Sequence, residues 1–113
     1  MWLNTLSDSL RAVDRQQLME AAEILAKAKR IFFIGNGGSA AIASHMAVDF
    51  TKNKDIPSYA FNNASLLTCY ANDFGYENMF AEALDSYKIY QGDVLVAISS
   101  SGRSKNILNA VEK

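Results

Sequence analysis

The stretch that decides the fold is IFFIGNGGSAAIASHMAVDF, residues 31–50, in which a short apolar run meets a glycine-rich turn. A continuous apolar run such as 31–34 is typical of a strand buried on both faces, as strands are in a parallel sheet. The residues that follow predict a helix over about 39–51. Strand, turn and helix together indicate the opening unit of an α/β domain.

The rest of the chain continues this alternation of helices and strands. Upstream, apolar residues at spacings of three and four predict a helix over 3–13, and Asp14 is placed to cap a second helix, with Gln17 in the capping-box position. Downstream, strands are predicted at 58–61 and 94–98, the latter buried, and helices at about 65–71, at 76–88 and from Ser104 onward. The pattern indicates a single domain over 1–113, with a helical N-terminus (3–29) and an α/β core (31–113).

Composition narrows the classes of function. The net charge is −1 and the basic residues are scattered, which argues against nucleic acid and an anionic membrane as partners. No apolar run approaches the roughly 18 residues of a membrane span, and the N-terminus lacks a signal-peptide pattern. The single cysteine, Cys69, cannot form an internal disulfide, so a cytoplasmic location is expected. We predict Cys69 to be a small buried hydrophobe.

Two polar loops follow predicted strands and are candidates for a binding site. GNGGS (35–39) follows the first strand, and SSSGRS (99–104) follows the third. In parallel sheets ligands bind beyond the carboxyl ends of the strands, where free N–H groups at a helix start attract anions. Either loop alone could be an ordinary turn, but the two together predict a phosphate site. The candidate residues are Asn36, Gly37, Gly38, Ser39, Ser99, Ser100, Ser101 and Ser104.

The first loop is also compatible with a dinucleotide site. Residues 35–40 fit the fingerprint G-x-G-x-x-A. That site needs an acidic residue about 20 residues further on, at the end of the second strand, to bind the ribose. The predicted second strand ends in Phe61, Asn62 and Asn63, without a carboxylate. We therefore rank the dinucleotide interpretation below the phosphate site.

His45 and Asp49 are the candidate catalytic and metal-binding residues. They are four residues apart and so share one face of the predicted helix. Such a pair could ligate a metal ion or exchange a proton. The alternative is a partly buried histidine beside an exposed aspartate, with no function. The helix begins at the predicted anion site, which favours a functional pair.

Three stretches carry a resemblance to a known family: GNGGSAAIASHMAVDF, ANDFGYENMF and GDVLVAISSSGRS. They resemble the sugar isomerase (SIS) domain family, and within it the phosphoheptose isomerases. The resemblance implies a Rossmann-like (flavodoxin-like) fold of three α/β/α layers, with five parallel strands in the order 2-1-3-4-5. Only the first three strands are present here. We therefore expect a fragment that lacks the last strands and leaves residues 94–98 at an uncovered edge.

The resemblance also implies roles for individual residues. The two loops would bind the phosphorylated sugar, with Asn72 and Asp73 beside it. His45 would be a zinc ligand, and Asp49 stands where the family usually has a glutamate that is both metal ligand and acid/base. The implied reaction is aldose–ketose isomerisation of sedoheptulose 7-phosphate, which supplies precursors of cell-surface glycans such as lipopolysaccharide. The implied assembly is a homotetramer.

Two departures from the family leave a second function open. Aspartate is one methylene shorter than glutamate, and the family's second catalytic histidine would lie beyond Lys113. A phosphosugar-binding SIS module without catalysis is therefore the alternative to an isomerase. The apolar seam of the first helix leaves two further alternatives: it joins neighbouring subunits, or it packs on the chain's own sheet. This seam consists of Leu3, Leu6, Leu10 and Val13.

Overall fold

The computed structural model describes all residues, 1–113, as helices around one three-stranded sheet. The elements are α1 (Trp2–Arg11), α2 (Arg15–Ala26), β1 (Arg30–Gly35), α3 (Gly38–Lys54), β2 (Ser58–Ala60), α4 (Ala64–Phe74), a 3₁₀ turn (Tyr76–Asn78), α5 (Met79–Ser86), β3 (Asp93–Ile98) and α6 (Lys105–Glu112). The predicted helix over 76–88 is wrong in detail, because a 3₁₀ turn precedes the shorter α5. No helix combines the length and the apolar character needed to cross a bilayer.

The sheet is parallel throughout, with strand order β2-β1-β3. β1 is central, and Phe33 pairs with Ala60 on one side and with Val96 on the other. At the end of the β1–β3 ladder Gly35 pairs with Ile98. The residues that follow these two strands therefore leave the sheet side by side, as the α/β pattern predicts.

β1 is buried on both faces, which confirms a three-layer α/β/α arrangement. One face carries Phe32 and Ile34 against α4, α5 and α6, where Phe80 and Leu84 complete the larger core. The other face carries Ile31 and Phe33 against the small residues of α3, which let that helix approach the sheet closely. The four apolar side chains of β1 are at most 2% exposed, so burial, rather than local propensity, holds this strand in place.

β3 is less buried than predicted. Its residues are half-buried and Ala97 is exposed, because β3 forms the edge of the sheet and has a neighbour on one side only. An apolar groove of about 320 Å³ lies beside it, lined by residues that include Leu84, Leu95 and Val111. The expectation of an uncovered edge at this strand is confirmed.

The N-terminal helices contribute little to the core, which only Leu25 near the end of α2 contacts. Neither α1 nor α2 has a buried residue. The seam predicted on α1 does not pack on the chain's own sheet, so that alternative is wrong; Leu6 is 51% exposed and Leu10 67%. Asp14 caps α2 as predicted, since its Oδ1 accepts hydrogen bonds from the backbone N–H groups of Gln16 (2.9 Å) and Gln17 (3.3 Å).

The prediction that Cys69 is buried is wrong. Cys69 is exposed on α4, and its Sγ lies 3.8 Å from Oδ2 of Asp73. The core-facing side of α4 is formed by Leu66, Leu67 and Tyr70, which pack against the larger core. The thiol lies outside that apolar side of the helix, so the residue type alone gave a misleading expectation of burial.

Candidate functional site

The first loop is shaped by its glycines. Gly37 has φ of +55°, a conformation that favours glycine, and α3 begins at the next residue. The N–H groups of Gly37 and Gly38 donate to no acceptor of the protein, while that of Ser39 donates to the Asn36 carbonyl at 3.0 Å. The loop therefore leaves two backbone donors at the positive end of the α3 dipole, which suits an anion.

The second loop is held by its own serines. Ser99 Oγ accepts from the N–H of Gly102 (3.0 Å), and Ser101 Oγ accepts from the N–H of Arg103 (3.1 Å). A hydroxyl that accepts a hydrogen bond keeps its O–H free to donate. Ser104 stands at the N-cap of α6, but its side chain caps no backbone N–H. The loop thus combines a fixed backbone with hydroxyl donors that remain available.

A small cavity of about 60 Å³ lies between the two loops. A site for one water molecule needs at least about 10–15 Å³, so the cavity has room for a small polar group larger than a single water. No charged side chain lines it, so hydroxyl and amide groups set its chemistry. The lining residues are Asn36, Ser39, Ile98, Ser99, Ser100, Ser101 and Ser104. The structure therefore brings together every side-chain donor predicted for the two loops.

Sequence reasoning missed Asn106, which lies in the first turn of α6 and is 2% exposed. Its Nδ2 donates to Asn36 Oδ1 at 2.8 Å, and its Oδ1 accepts from Asn36 Nδ2 at 3.0 Å. The Tyr76 hydroxyl also donates to Asn36 Oδ1, at 3.2 Å. A signal was present in the sequence, because Asn106 precedes the apolar Ile107 and lies four residues before Ala110. That spacing places Asn106 beside the apolar face of the helix.

His45 and Asp49 lie on α3 outside the cavity lining. His45 Nε2 and Asp49 Oδ2 are 3.3 Å apart, and the two side chains are 77% and 42% exposed. The histidine is thus exposed rather than partly buried, and a function of the pair stays a prediction. No group of three or more histidine, cysteine, aspartate or glutamate side chains is arranged to hold a metal ion. His45 and Asp49 therefore stand as a pair without a third side chain of these types beside them.

Asn72 and Asp73 do not line the cavity between the loops. Both are exposed near the end of α4, and Asn72 Nδ2 donates to Asp73 Oδ1 at 3.2 Å. The 3₁₀ turn that follows them carries Tyr76, whose hydroxyl reaches Asn36. Their placement beside a bound sugar stays a prediction.

The position that a dinucleotide-binding domain would use for the ribose is occupied by Asn62. Its Nδ2 donates to the Ala40 carbonyl (3.1 Å) and to Ser44 Oγ (2.7 Å), which ties the end of β2 to α3. An amide engaged with a helix cannot replace the carboxylate that accepts hydrogen bonds from a ribose. The structure thus gives the dinucleotide interpretation no support.

Comparisons with known proteins identify the family of this chain. A family model described as SIS domain matches residues 2–113. The phosphoheptose isomerase of Fusobacterium nucleatum is 36% identical over 81% of this chain and 50% of its own length. A phosphoheptose isomerase of Helicobacter pylori is 38% identical over 94% of this chain and 58% of its own length. The chain thus spans about half the length of the curated relatives it matches.

A solved structure shares the fold. The structure of phosphoheptose isomerase GmhA from Neisseria gonorrhoeae matches with a TM-score of 0.77 and 32% sequence identity. The match covers 97% of this chain and 65% of that one. The arrangement of helices and strands described above is therefore shared over nearly the whole of this chain.

Proposed function

We propose that this chain, which belongs to the SIS domain family, binds a phosphorylated sugar and takes part in its aldose–ketose isomerisation. The observation that carries the proposal is the cavity between the GNGGS and SSSGRS loops, with its hydroxyl and amide lining. Since the relatives are phosphoheptose isomerases, the proposed substrate is sedoheptulose 7-phosphate. The product is a heptose 7-phosphate, a precursor of cell-surface glycans such as lipopolysaccharide.

Binding the phosphate in this cavity fixes one end of the substrate. The hydroxyls of Ser101 and Ser104, which line the cavity, supply hydrogen bonds to phosphate oxygens without placing a cation there. The free N–H groups of Gly37 and Gly38 lie between the lining residues Asn36 and Ser39 and are proposed to add to them. A substrate anchored at its phosphate presents its reacting carbons at a set distance, which lowers the entropy cost of reaction. Isomerisation then requires a group that moves a proton between adjacent carbons.

His45 and Asp49 are the groups we propose for proton transfer and for zinc. Their facing atoms are 3.3 Å apart, and two ligand atoms of a tetrahedral zinc with bonds of about 2.0–2.1 Å lie about 3.3–3.4 Å apart. The pair therefore fits half of a zinc site. A bound zinc would supply Lewis-acid polarisation of a carbonyl oxygen. Asp49 is the proposed base, since its carboxylate can accept the proton from one carbon of the substrate and return it to the adjacent carbon.

A second function is favoured by one observation. The chain's own residues provide two metal donors, both largely exposed, and no group of three. A phosphosugar-binding module without catalysis would keep the cavity between the loops and would need no complete set of metal ligands. Binding and turnover therefore have to be measured separately.

We also propose that α1 joins copies of the chain in a homo-oligomer, a tetramer if it follows the family. The support is the row of apolar side chains on α1, which stays about half exposed or more and contacts no core. Burying such a row between helices of two copies removes it from water.

Calorimetric titration of sedoheptulose 7-phosphate into the chain tests the proposed function. We expect the sugar phosphate to bind and inorganic phosphate to compete with it. We expect no binding when NAD is titrated instead. Ser101→Ala removes one hydroxyl from the cavity and should weaken binding about tenfold, the effect of one hydrogen bond to a charged group. Ser65→Ala removes an exposed hydroxyl on α4 and should bind as the wild type does. A chain that binds NAD and no sugar phosphate would refute the proposal.

A further inference from the structure

Asn106 is the one polar side chain among the fully buried residues, and its surroundings explain why it is tolerated there. It lies in α6 between the larger core and the first loop, next to the buried Ile107. Burying an amide is costly unless its donor and acceptor are both satisfied. Both are satisfied by one residue, Asn36, and no buried side-chain nitrogen or oxygen of the chain lacks a partner.

The contact fixes the orientation of Asn36. The two amides bond reciprocally at 2.8 and 3.0 Å, and the Tyr76 hydroxyl gives Asn36 Oδ1 a second donor at 3.2 Å. Both lone pairs of that oxygen are then occupied, as is one of the two Nδ2 hydrogens. A single side-chain N–H of Asn36 remains free to donate, and Asn36 lines the cavity. Asn36 therefore serves a ligand with one donor whose direction is set by its partners.

The pair also joins the two sides of the cavity. Asn36 belongs to the loop after β1, while Asn106 lies two residues beyond Ser104, in the helix that follows the serine loop. Apart from the β1–β3 ladder, these reciprocal bonds are the only direct hydrogen bonds between the loop after β1 and residues 99–106. A link of this kind sets how far apart the two sets of phosphate donors stand.

We infer that Asn106 is a positioning residue for the phosphate site, which fixes Asn36 and the spacing of the two loops without touching the ligand. The inference rests on the proposed function, because it assigns the cavity to a phosphate group. It adds a residue that neither the loop motifs nor the family resemblance singles out. Phosphate donors act together only when their spacing matches the anion, so a shift of either loop weakens several bonds at once.

The first test measures the affinity for inorganic phosphate and for sedoheptulose 7-phosphate by calorimetry. Asn106→Leu keeps the number and branching of the side-chain heavy atoms and removes both bonds to Asn36, so both dissociation constants should rise about tenfold. Asn109→Leu is the matched control: Asn109 is three residues further along α6 and donates to the Glu77 carbonyl (2.9 Å) and to Asn78 Oδ1 (3.3 Å). This control should lower the unfolding temperature and leave both dissociation constants unchanged.

Two gentler variants keep the test valid if Asn106→Leu fails to fold. Tyr76→Phe removes one donor to Asn36 Oδ1 from an exposed ring and should raise the dissociation constants about threefold. Asn106→Asp cannot donate to Asn36 while ionised, but when protonated it both donates and accepts. Burial raises the pKa of such a carboxyl. The ratio of the variant's dissociation constant to that of the wild type should therefore fall towards one as the pH is lowered from about 8 to about 5.

Hydrogen–deuterium exchange of the free protein separates this inference from the proposed function. We expect faster exchange over 35–39 and 99–106 in Asn106→Asp at pH 8, and none of this in the Asn109→Leu control. Wild-type exchange, or wild-type affinity, in the Asn106 variants would overturn the positioning role while the proposed function stands. A wild-type chain that binds neither phosphate nor the sugar phosphate would overturn the proposed function itself, and the ligand role of Asn106 with it.

Discussion

Gly35 shows how a single residue determines where the first loop and α3 stand. A Cβ built on Gly35 would lie 2.6 Å from the carbonyl carbon of Ser39 and 2.7 Å from its oxygen. The contact is with backbone, which cannot rotate away as a flexible side chain could. The glycine at the end of β1 therefore allows the start of α3 to approach the strand, in addition to any role at a ligand.

We expect Gly35→Ala to destabilise the chain by about 1–3 kcal/mol, the usual effect of overpacking. Urea denaturation followed by circular dichroism measures this. Gly38→Ala is the control, because a Cβ there meets nothing within 4 Å and Gly38 is the first residue of α3. It should leave the free energy of unfolding equal or slightly higher. Equal losses in the two variants would contradict this account.

His45 is the residue on which the proposed zinc site depends. We expect the wild-type chain to bind zinc weakly, with a 1:1 stoichiometry, because two donors stand at a suitable distance and others must come from water. His45→Ala should abolish this binding in a competition assay with a zinc chelator dye. The Asp73→Ala control changes an exposed carboxylate on another helix and should keep zinc affinity. Unchanged binding in His45→Ala would exclude the proposed site.

At the scale of elements, β1 and β3 are tied at their N-terminal ends by Arg30 and Asp93. Arg30 Nε donates to Asp93 Oδ1 at 3.1 Å, and the Asp93 side chain is 5% exposed. The guanidinium also lies about 5.0 and 5.1 Å from the ring centres of Tyr90 and Phe32. The hydrogen bond from Arg30 lowers the pKa of Asp93 below its ordinary value, against the opposing effect of burial.

This tie predicts a pH dependence of stability. A carboxylate whose pKa is lower in the folded state contributes fully above its unfolded pKa, about 3.9, and loses that contribution as pH falls through the folded pKa. Asp93→Asn should therefore cost about 2 kcal/mol at pH 7, and its deficit against wild type should shrink below about pH 4. Urea melts at both pH values measure this.

A control for this prediction is Asp85→Asn, which removes an exposed carboxylate paired with Lys113. Solvent screens such a pair, so the urea midpoint should not change. A deficit of Asp93→Asn that persists unchanged into acid would show that packing, rather than charge, accounts for it.

At the scale of the whole molecule, the structure leaves the apolar row of α1 exposed. If copies associate through this helix, Leu6→Asp should convert the oligomer to a monomer in size-exclusion chromatography with light scattering, because it places a charge in the apolar row. Asn4→Asp is the control, since Asn4 lies on the opposite side of α1, and it should elute as wild type. A wild-type chain that elutes as a monomer would refute association through α1.

Much of the fold could be predicted from the sequence because its signals are local. The apolar run 31–34 and the alternation of helix and strand gave the parallel sheet, and glycine and serine clusters gave both loops of the cavity. The errors came from burial. Cys69 and the strand 94–98 were each expected to be more buried than they are, since a residue's type does not say which neighbours surround it.

The sequence by itself determined the strands, the helices and the residue types available for a phosphate. Periodicity, glycine and capping residues act over a few neighbouring positions, so they can be recognised from the sequence alone. Only the tertiary structure decided that Asn36 and Asn106, 70 residues apart, share their hydrogen bonds, and that His45 and Asp49 face solvent outside the cavity. Contacts between distant segments depend on how the layers pack, and a linear pattern does not contain that information.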